Sequence, residues 1–252
     1  MTPELFAAAA ELCRTFTPAG GYGIVYGSQA GSGDSRADLD LVLVGRDRLG
    51  RCIMDGLVAA VRRIHDGFGL AHDTEVDYET KLFATYSDVD QAVALRCFPR
   101  IDGLLSPVPV VVEADWLNSS AFAQRLLLNA LTSEHMFLGG NVGRYRADRS
   151  RAEQAVAVLA ISMLATPEIT VPRAVQALTC APDGAHGKDF LGYTRSAHLC
   201  STVQSGLASL VARDLVEVID GARFRQRHAS HGYSTSRTCD NGFTIPFERN
   251  PR

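Results

Sequence analysis

The chain has 252 residues, a formal net charge of −3 and 46% hydrophobic residues, so it is long enough for one large or two modest globular domains. The acidic balance argues against nucleic acid as a general partner. Six scattered cysteines without a C-x-x-C pair indicate neither a disulfide framework nor a zinc site. No signal peptide is visible and no apolar run is long enough to span a bilayer, so we expect a cytoplasmic protein without membrane association.

The first predicted element is a helix, because Thr2-Pro3-Glu4 is a typical helix start and an alanine-rich run follows it to about Thr15. Two short apolar runs come next, residues 23–26 and 39–44, on either side of a glycine-rich turn. Both runs are rich in β-branched or aromatic residues, which predicts a strand, a turn and a second strand.

Two aspartates, Asp38 and Asp40, stand at the start of the second run. Residues two apart on a strand share a face, so both carboxylates point one way while Leu39 points into the core. Paired carboxylates repel each other unless a cation lies between them, and Mg²⁺, before Ca²⁺, suits such oxygen ligands. The Gly27-Ser28 step permits a sharp turn, and its N–H groups can hold phosphate. Together these features point to phosphoryl or nucleotidyl transfer.

Gly27-Ser28, a spacer and Asp38-Leu39-Asp40 on a strand resemble the signature of the DNA polymerase β-like nucleotidyltransferase superfamily, which includes antibiotic-modifying and minimal nucleotidyltransferases. The resemblance covers roughly the first hundred residues. It implies transfer of a nucleoside monophosphate from a nucleoside triphosphate, with Mg²⁺ bound by Asp38 and Asp40. It also implies that Gly27 and Ser28 hold the β- and γ-phosphates.

Two positions depart from the superfamily pattern. Gly31 and Ser32 stand where an arginine is common, and Ala37 stands where a serine often precedes the Asp-x-Asp. The first departure removes a charge that would face phosphate. Further along, Lys81 either faces phosphate or forms a salt bridge, and the salt bridge is favoured.

The resemblance also implies a third carboxylate on a later strand beside the aspartate pair. Residues 73–79 carry an acid at every second position, which places four carboxylates on one face if the segment is a strand. Glu75 and Asp77 are nearest the middle, and the choice between them stays open. A solvated edge strand is the alternative, and Glu113 or Glu134 is the next candidate if none of these acids serves.

The rest of the chain is predicted to be mainly helical. A helix is expected over about residues 49–68, with His65 near its end explained by the helix dipole. Ser119 caps a helical pattern that continues through Phe137. Four arginines surround the start of the next predicted helix, where a solvated helix start is favoured over contact with a triphosphate or an anionic acceptor: Arg144, Arg146, Arg149 and Arg151.

Near the C-terminus, residues 201–227 predict a helix followed by a hairpin with an Asp220-Gly221 turn, which resembles the end of a winged-helix module. The arginines at 223, 225 and 227 would share one face of this hairpin, as a phosphate contact requires. The predicted fold class is α+β: a small mixed sheet flanked by helices in a nucleotidyltransferase domain over residues 1–112, then a mainly helical domain over residues 113–252.

The leading interpretation is an enzyme with Mg²⁺ as cofactor and a nucleoside triphosphate as co-substrate. It would transfer the nucleoside monophosphate to a hydroxyl of a small-molecule acceptor, such as an antibiotic or a biosynthetic intermediate, while a protein or tRNA acceptor stays open. Glu75 or Asp77 would complete the metal site and assist deprotonation of the acceptor. The second interpretation is a catalytically silent protein of the same fold that binds nucleic acid as a regulator. The missing arginine after Gly27-Ser28 supports that reading, and the overall acidity opposes it.

Overall fold

A computed structural model of the chain describes residues 1–31, 37–71, 79–98, 100–101, 104–105, 119–164, 168–179 and 196–227. These residues form an α+β fold, as predicted, and divide into two compact units. The first unit comes from residues 1–92 and 112–149, and the second from residues 93–111 and 150–252.

The helices in these ranges are α1 (Pro3–Phe16), α2 (Gly27–Ala30), α3 (Arg51–Phe68), α4 (Glu79–Leu82), α5 (Tyr86–Val93), α6 (Ser120–Thr132), α7 (Val142–Leu164), α8 (Val171–Thr179) and α9 (Ser196–Ala212). The strands are β1 (Tyr22–Tyr26), β2 (Asp40–Gly45), β3 (Phe83–Thr85), β4 (Arg100–Ile101), β5 (Leu104–Leu105), β6 (His135–Gly140), β7 (Glu168–Thr170), β8 (Val216–Asp220) and β9 (Arg223–Gln226). Among the described helices, none is long and apolar enough to cross a membrane.

The first unit contains a four-stranded mixed sheet in the order β3-β2-β1-β6. β1 pairs antiparallel with both β2 and β6, and β2 pairs in parallel with β3. The predicted strand, turn and strand are therefore confirmed. Antiparallel pairing sets Tyr26, the last residue of β1, opposite Asp40, the first residue of β2. For this reason the glycine-rich turn and the aspartates meet at one edge of the sheet.

Helices α1 and α3 pack on this sheet around a buried apolar core. The predicted helix start is confirmed, since the Thr2 hydroxyl accepts the Leu5 N–H at 3.2 Å and Pro3 opens α1. Removal of these side chains from water is the main force that holds the helices on the sheet. The core includes Leu5, Leu12, Met54, Leu57 and Val61 from the helices and Val25, Leu41 and Leu43 from the strands.

The segment after α6 is a strand, so the prediction of a helix through Phe137 is wrong. α6 ends at Thr132, Ser133 adopts an extended backbone as its C-cap, and β6 follows as the fourth strand of the sheet. Periodicity does not distinguish a short apolar run on a strand from the end of a helix. This segment forms a strand because it pairs with the free edge of β1. The sheet therefore includes β6, a strand that follows the domain boundary predicted near residue 112. Residue 112 itself lies outside the described residues.

In the second unit, β7, β8 and β9 form an antiparallel sheet in the order β7-β9-β8, and α8 and α9 lie between β7 and β8 in the chain. The predicted hairpin is confirmed. The Asp220 carboxylate accepts the N–H groups of Ala222 and Arg223 at 3.1 Å each and so closes the turn.

Candidate active site

The turn after β1 contains the residues predicted to bind phosphate. Gly27 has a φ of +71°, a left-handed conformation that other residues rarely adopt. A Cβ on Gly27 would lie 2.4 Å from Oδ2 of Asp40, which is closer than real Cβ atoms approach. Ser28 follows, half-buried, at the start of α2. The backbone angle favours glycine here and a Cβ would displace the adjacent carboxylate, so the predicted turn packs against one of the two predicted metal ligands.

Asp38 and Asp40 lie on either side of a residue that anchors them to the core. Leu39 is 1% exposed, as the spacing predicts, whereas both aspartates are partly exposed. Asp40 opens β2, and Asp38 lies just before the strand. Two carboxylates are therefore accessible at the edge of the sheet where the phosphate-binding turn was predicted.

The buried ring of His65 holds the backbone between these aspartates. His65 is 2% exposed on α3, and the N–H of Leu39 donates to its Nε2 at 3.4 Å. Because Nε2 accepts, the Nδ1–H donates to the carbonyl of Ala71 at 2.9 Å. His65 thus positions the aspartate segment and also the residue that precedes segment 72–78. The sequence contained no signal for this role, because the contact joins residues 26 positions apart.

A buried lysine is paired with Asp40. The Nζ of Lys81 lies 3.6 Å from Oδ1 of Asp40, and only 9% of the lysine side chain is exposed. Of the two roles that the sequence left open for Lys81, the salt bridge is the one present. A buried ammonium group is costly without a counter-charge, so the carboxylate stabilises the lysine where it stands.

Glu134 lies on the other side of α2. A Cβ on Gly31 would be 2.6 Å from Oε2 of Glu134, so this carboxylate packs against the end of the short helix. The placement follows from the sheet, because Tyr26 of β1 is flanked by Asp40 on β2 and by His135 on β6. The carboxylates of Asp40 and Glu134 therefore flank α2. From the sequence, Glu134 was a further candidate behind Glu75 and Asp77, and the strand that follows it was predicted as part of a helix.

The third acid cannot be placed in the same way. Glu75 and Asp77 belong to segment 72–78, and the further candidate Glu113 belongs to segment 106–118; both segments lie outside the described residues. Within the part of the chain that the structure describes, no group of three or more His, Cys, Asp or Glu side chains could hold a metal ion together. Asp38 and Asp40 supply hard carboxylate oxygens of the kind that Mg²⁺ prefers. The chemistry of this pair fits the predicted ion, and further ligands would come from a third acid, a phosphate or water.

A cavity of about 660 Å³ opens at the opposite edge of the same sheet, lined by residues before β1 and after β2, β3 and β6. Arg144 lines it, with its guanidinium carbon 4.2 Å from the centre of the Tyr86 ring. The Nε of Arg144 donates to Oδ2 of Asp148 at 2.8 Å. Arg144, one of the four arginines considered as triphosphate contacts, is therefore already paired with a carboxylate, at the edge of the sheet away from Gly27.

In the second unit, the arginines predicted to share one face of the hairpin are each paired with a carboxylate. The pairs include Arg223–Asp220 at 2.6 Å, Arg225–Glu217 at 3.7 Å and Arg227–Asp214 at 2.8 Å. Exposed pairs of this kind contribute little to stability, but they place an acid beside each arginine. The hairpin surface therefore has mixed charge, unlike the basic patches that bind phosphate backbones.

Comparison of the chain with protein-family models gives no match, and no curated protein matches it either. Its function is therefore inferred from the residues and distances of the site itself.

Proposed function

We propose that the protein is a Mg²⁺-dependent nucleotidyltransferase of the DNA polymerase β-like superfamily. It moves a nucleoside monophosphate from a nucleoside triphosphate to a hydroxyl of a small-molecule acceptor. The observation that carries the proposal is the packing of Asp40 Oδ2 against the Gly27 turn, so close that a Cβ would lie 2.4 Å away. This proximity supports the proposal because Asp40, which would hold the ion, lies next to the turn that would hold the phosphates. A nucleoside triphosphate as co-substrate fits the cytoplasmic location expected from the sequence.

Each site residue has a role in this reaction. The N–H groups of Gly27 and Ser28 hold the β- and γ-phosphates, and Asp38 and Asp40 hold Mg²⁺. When bound, the ion supplies positive charge that offsets the charge of the phosphates. The acceptor oxygen forms a bond to the α-phosphorus, pyrophosphate leaves with the electrons of the broken bond, and a carboxylate takes the proton of the hydroxyl. His65 keeps Asp38 and Asp40 in position by accepting the N–H of Leu39, the residue between them.

The carboxylate that takes the proton is proposed to be Glu75 or Asp77. Glu75→Gln or Asp77→Asn should lower kcat by orders of magnitude with little change in nucleotide affinity, because the group acts in the transition state. Glu134→Gln is the informative comparison, since Glu134 already packs against α2. If the first two variants keep near wild-type kcat while Glu134→Gln loses it, the proton goes to Glu134 instead.

The activity is tested by incubating the protein with each labelled nucleoside triphosphate, Mg²⁺ and a panel of acceptors, and measuring pyrophosphate release. The panel includes small hydroxyl compounds, tRNA and protein, so that it separates the acceptor classes. Asp40→Asn and an EDTA-treated sample are the controls. Pyrophosphate release no greater than in Asp40→Asn, with every triphosphate and acceptor, contradicts the proposal.

A second candidate function is nucleic-acid binding without catalysis, and the order β7-α8-α9-β8-β9 favours it through its winged-helix resemblance. The paired arginines of the hairpin and the net charge of −3 oppose it. Heparin retention and a DNA mobility shift between about 50 and 200 mM salt discriminate, because phosphate binding weakens steeply with salt. A salt-sensitive shift that Arg225→Gln weakens, without pyrophosphate release, would favour the regulator.

A further inference from the structure

Lys81 places a cation against the carboxylate that is proposed to bind metal. Its Nζ is 3.6 Å from Oδ1 of Asp40, and the lysine residue is 7% exposed, so the ammonium group is largely withdrawn from water. The other oxygen, Oδ2 of Asp40, lies against Gly27. Both oxygens of Asp40 therefore have a close neighbour in the protein before a metal ion arrives.

The sheet explains why a lysine stands at this point. β2 and β3 run parallel, with Leu43 opposite Phe83. The residues just before β3, including Lys81 in α4, therefore come alongside the start of β2, where Asp40 lies. The parallel pairing of β2 with β3 therefore brings the ammonium group of Lys81 to the carboxylate of Asp40.

We infer that Lys81 is a built-in counter-cation of Asp40 that competes with the divalent metal ion. Free Mg²⁺ then binds the nucleotide-free protein weakly, and the ion enters the site together with the triphosphate. The inference rests on the proposed metal role of Asp40. Two cations that need the same carboxylate repel each other at a separation of a few ångströms, whereas a triphosphate adds negative charge that offsets both.

Binding of Mn²⁺ to the nucleotide-free protein, followed by the electron paramagnetic resonance of the free ion, tests this inference. Lys81→Met and Lys81→Gln remove the charge, and each should tighten Mn²⁺ binding by about tenfold or more, because one nearby unit charge has at least that effect. Lys81→Arg keeps the charge and should stay near wild type. Arg14→Gln removes the same charge from an exposed pair with Glu11 on α1 and should also keep wild-type affinity.

The double variant Asp40→Asn with Lys81→Met should not show the tighter Mn²⁺ binding of Lys81→Met, which would assign the added affinity to Asp40. The inference is overturned if the folded Met and Gln variants, checked by circular dichroism, bind Mn²⁺ no more tightly than wild type. An equal gain in Arg14→Gln would also overturn it. Because no nucleotide is present, failure of the two proposals can be told apart. If the Lys81 variants bind Mn²⁺ more tightly but the protein transfers no nucleotide, the counter-cation role is supported and the proposed enzyme activity is contradicted. If the protein transfers nucleotide but the Lys81 variants do not bind Mn²⁺ more tightly, the enzyme activity is supported and the counter-cation role is contradicted.

Discussion

Replacement of Gly27 by alanine should both destabilise the protein and displace Asp40. The new Cβ would lie 2.4 Å from Oδ2 of Asp40, on a backbone with a φ of +71°. The left-handed backbone costs alanine about 1–2 kcal/mol. Displacing the Asp40 carboxylate, whose Oδ1 lies 3.6 Å from the Lys81 ammonium group, costs about 1–3 kcal/mol more. The expected loss in the free energy of unfolding is therefore about 2–5 kcal/mol.

Alanine variants of two other glycines are controls for the backbone cost and the contact cost. Gly69 also has a positive φ, +62°, but a Cβ there meets nothing within 4 Å, so Gly69→Ala should lose only the backbone contribution of about 1–2 kcal/mol. Gly67 lies in α3, and a Cβ there also meets nothing within 4 Å. Gly67→Ala should be neutral or stabilising by up to about 1 kcal/mol, because alanine is the better helix former.

Urea unfolding followed by far-ultraviolet circular dichroism measures each free energy, and a double-mutant cycle with Asp40→Ala isolates the contact. Asp40→Ala removes the oxygen and leaves its Cβ 3.4 Å from the added one, which is close to ordinary contact. Gly27→Ala should therefore cost about 1–3 kcal/mol less in that background. The reasoning is refuted if Gly27→Ala costs no more than Gly69→Ala, or if its cost does not depend on Asp40.

Asp38→Asn and Asp40→Asn should each abolish transfer at saturating Mg²⁺, and unchanged turnover in either variant would contradict the metal assignment. Asp38→Asn should leave the free energy of unfolding in urea nearly unchanged. Asp40→Asn should lower it by about 1–3 kcal/mol, because Lys81 loses the carboxylate charge 3.6 Å away. Equal stabilities of the two variants would count against the Lys81–Asp40 pair. A nucleoside triphosphate should raise the Tm only when Mg²⁺ is present, by the equivalent of about 2.7 kcal/mol at a hundredfold excess over its Kd. Equal shifts in EDTA would show that the triphosphate is held in another way. Tyr22→Phe removes a hydroxyl that donates to Asp148 at 3.2 Å and should cost about 1 kcal/mol at about pH 8. Burial, and then the charge of Asp148, raises the pKa of Tyr22 well above its usual range, so the unfolded chain loses this proton first and the wild type loses stability as the pH rises above about 10. The stability difference between wild type and Tyr22→Phe should shrink there, and a constant difference up to about pH 11 would contradict the expected coupling.

The elements that local sequence predicted well are those decided within a few neighbouring residues. Thr2 and Pro3 start α1 through a cap and a preset backbone angle. The hairpin closes because the Asp220 side chain reaches backbone N–H groups two and three residues away. In each case the interaction partner is near in sequence, so the pattern contained the information.

The contacts of the site that the sequence did not predict depend on partners far apart in the chain. Glu134 comes to α2 only because β6 pairs with β1, and the apolar run of β6 reads equally well as the end of a helix. His65 contacts Leu39 across 26 residues, and no local pattern marks a histidine that accepts a backbone N–H. Such contacts form when helices and strands pack, so spacing along the chain does not reveal them.

By itself, therefore, the sequence determined the α+β class, the strand–turn–strand around Gly27, the hairpin of the second unit and the partly exposed position of Asp38 and Asp40 on either side of buried Leu39. Only the tertiary structure decided what surrounds those carboxylates. Parallel pairing of β2 with β3 brings Lys81 to Asp40, and antiparallel pairing of β1 with β6 brings Glu134 to the other side of α2. Backbone hydrogen bonds between strands set these registers. They join segments that are far apart in the sequence, so the local sequence does not show that these segments are close in space.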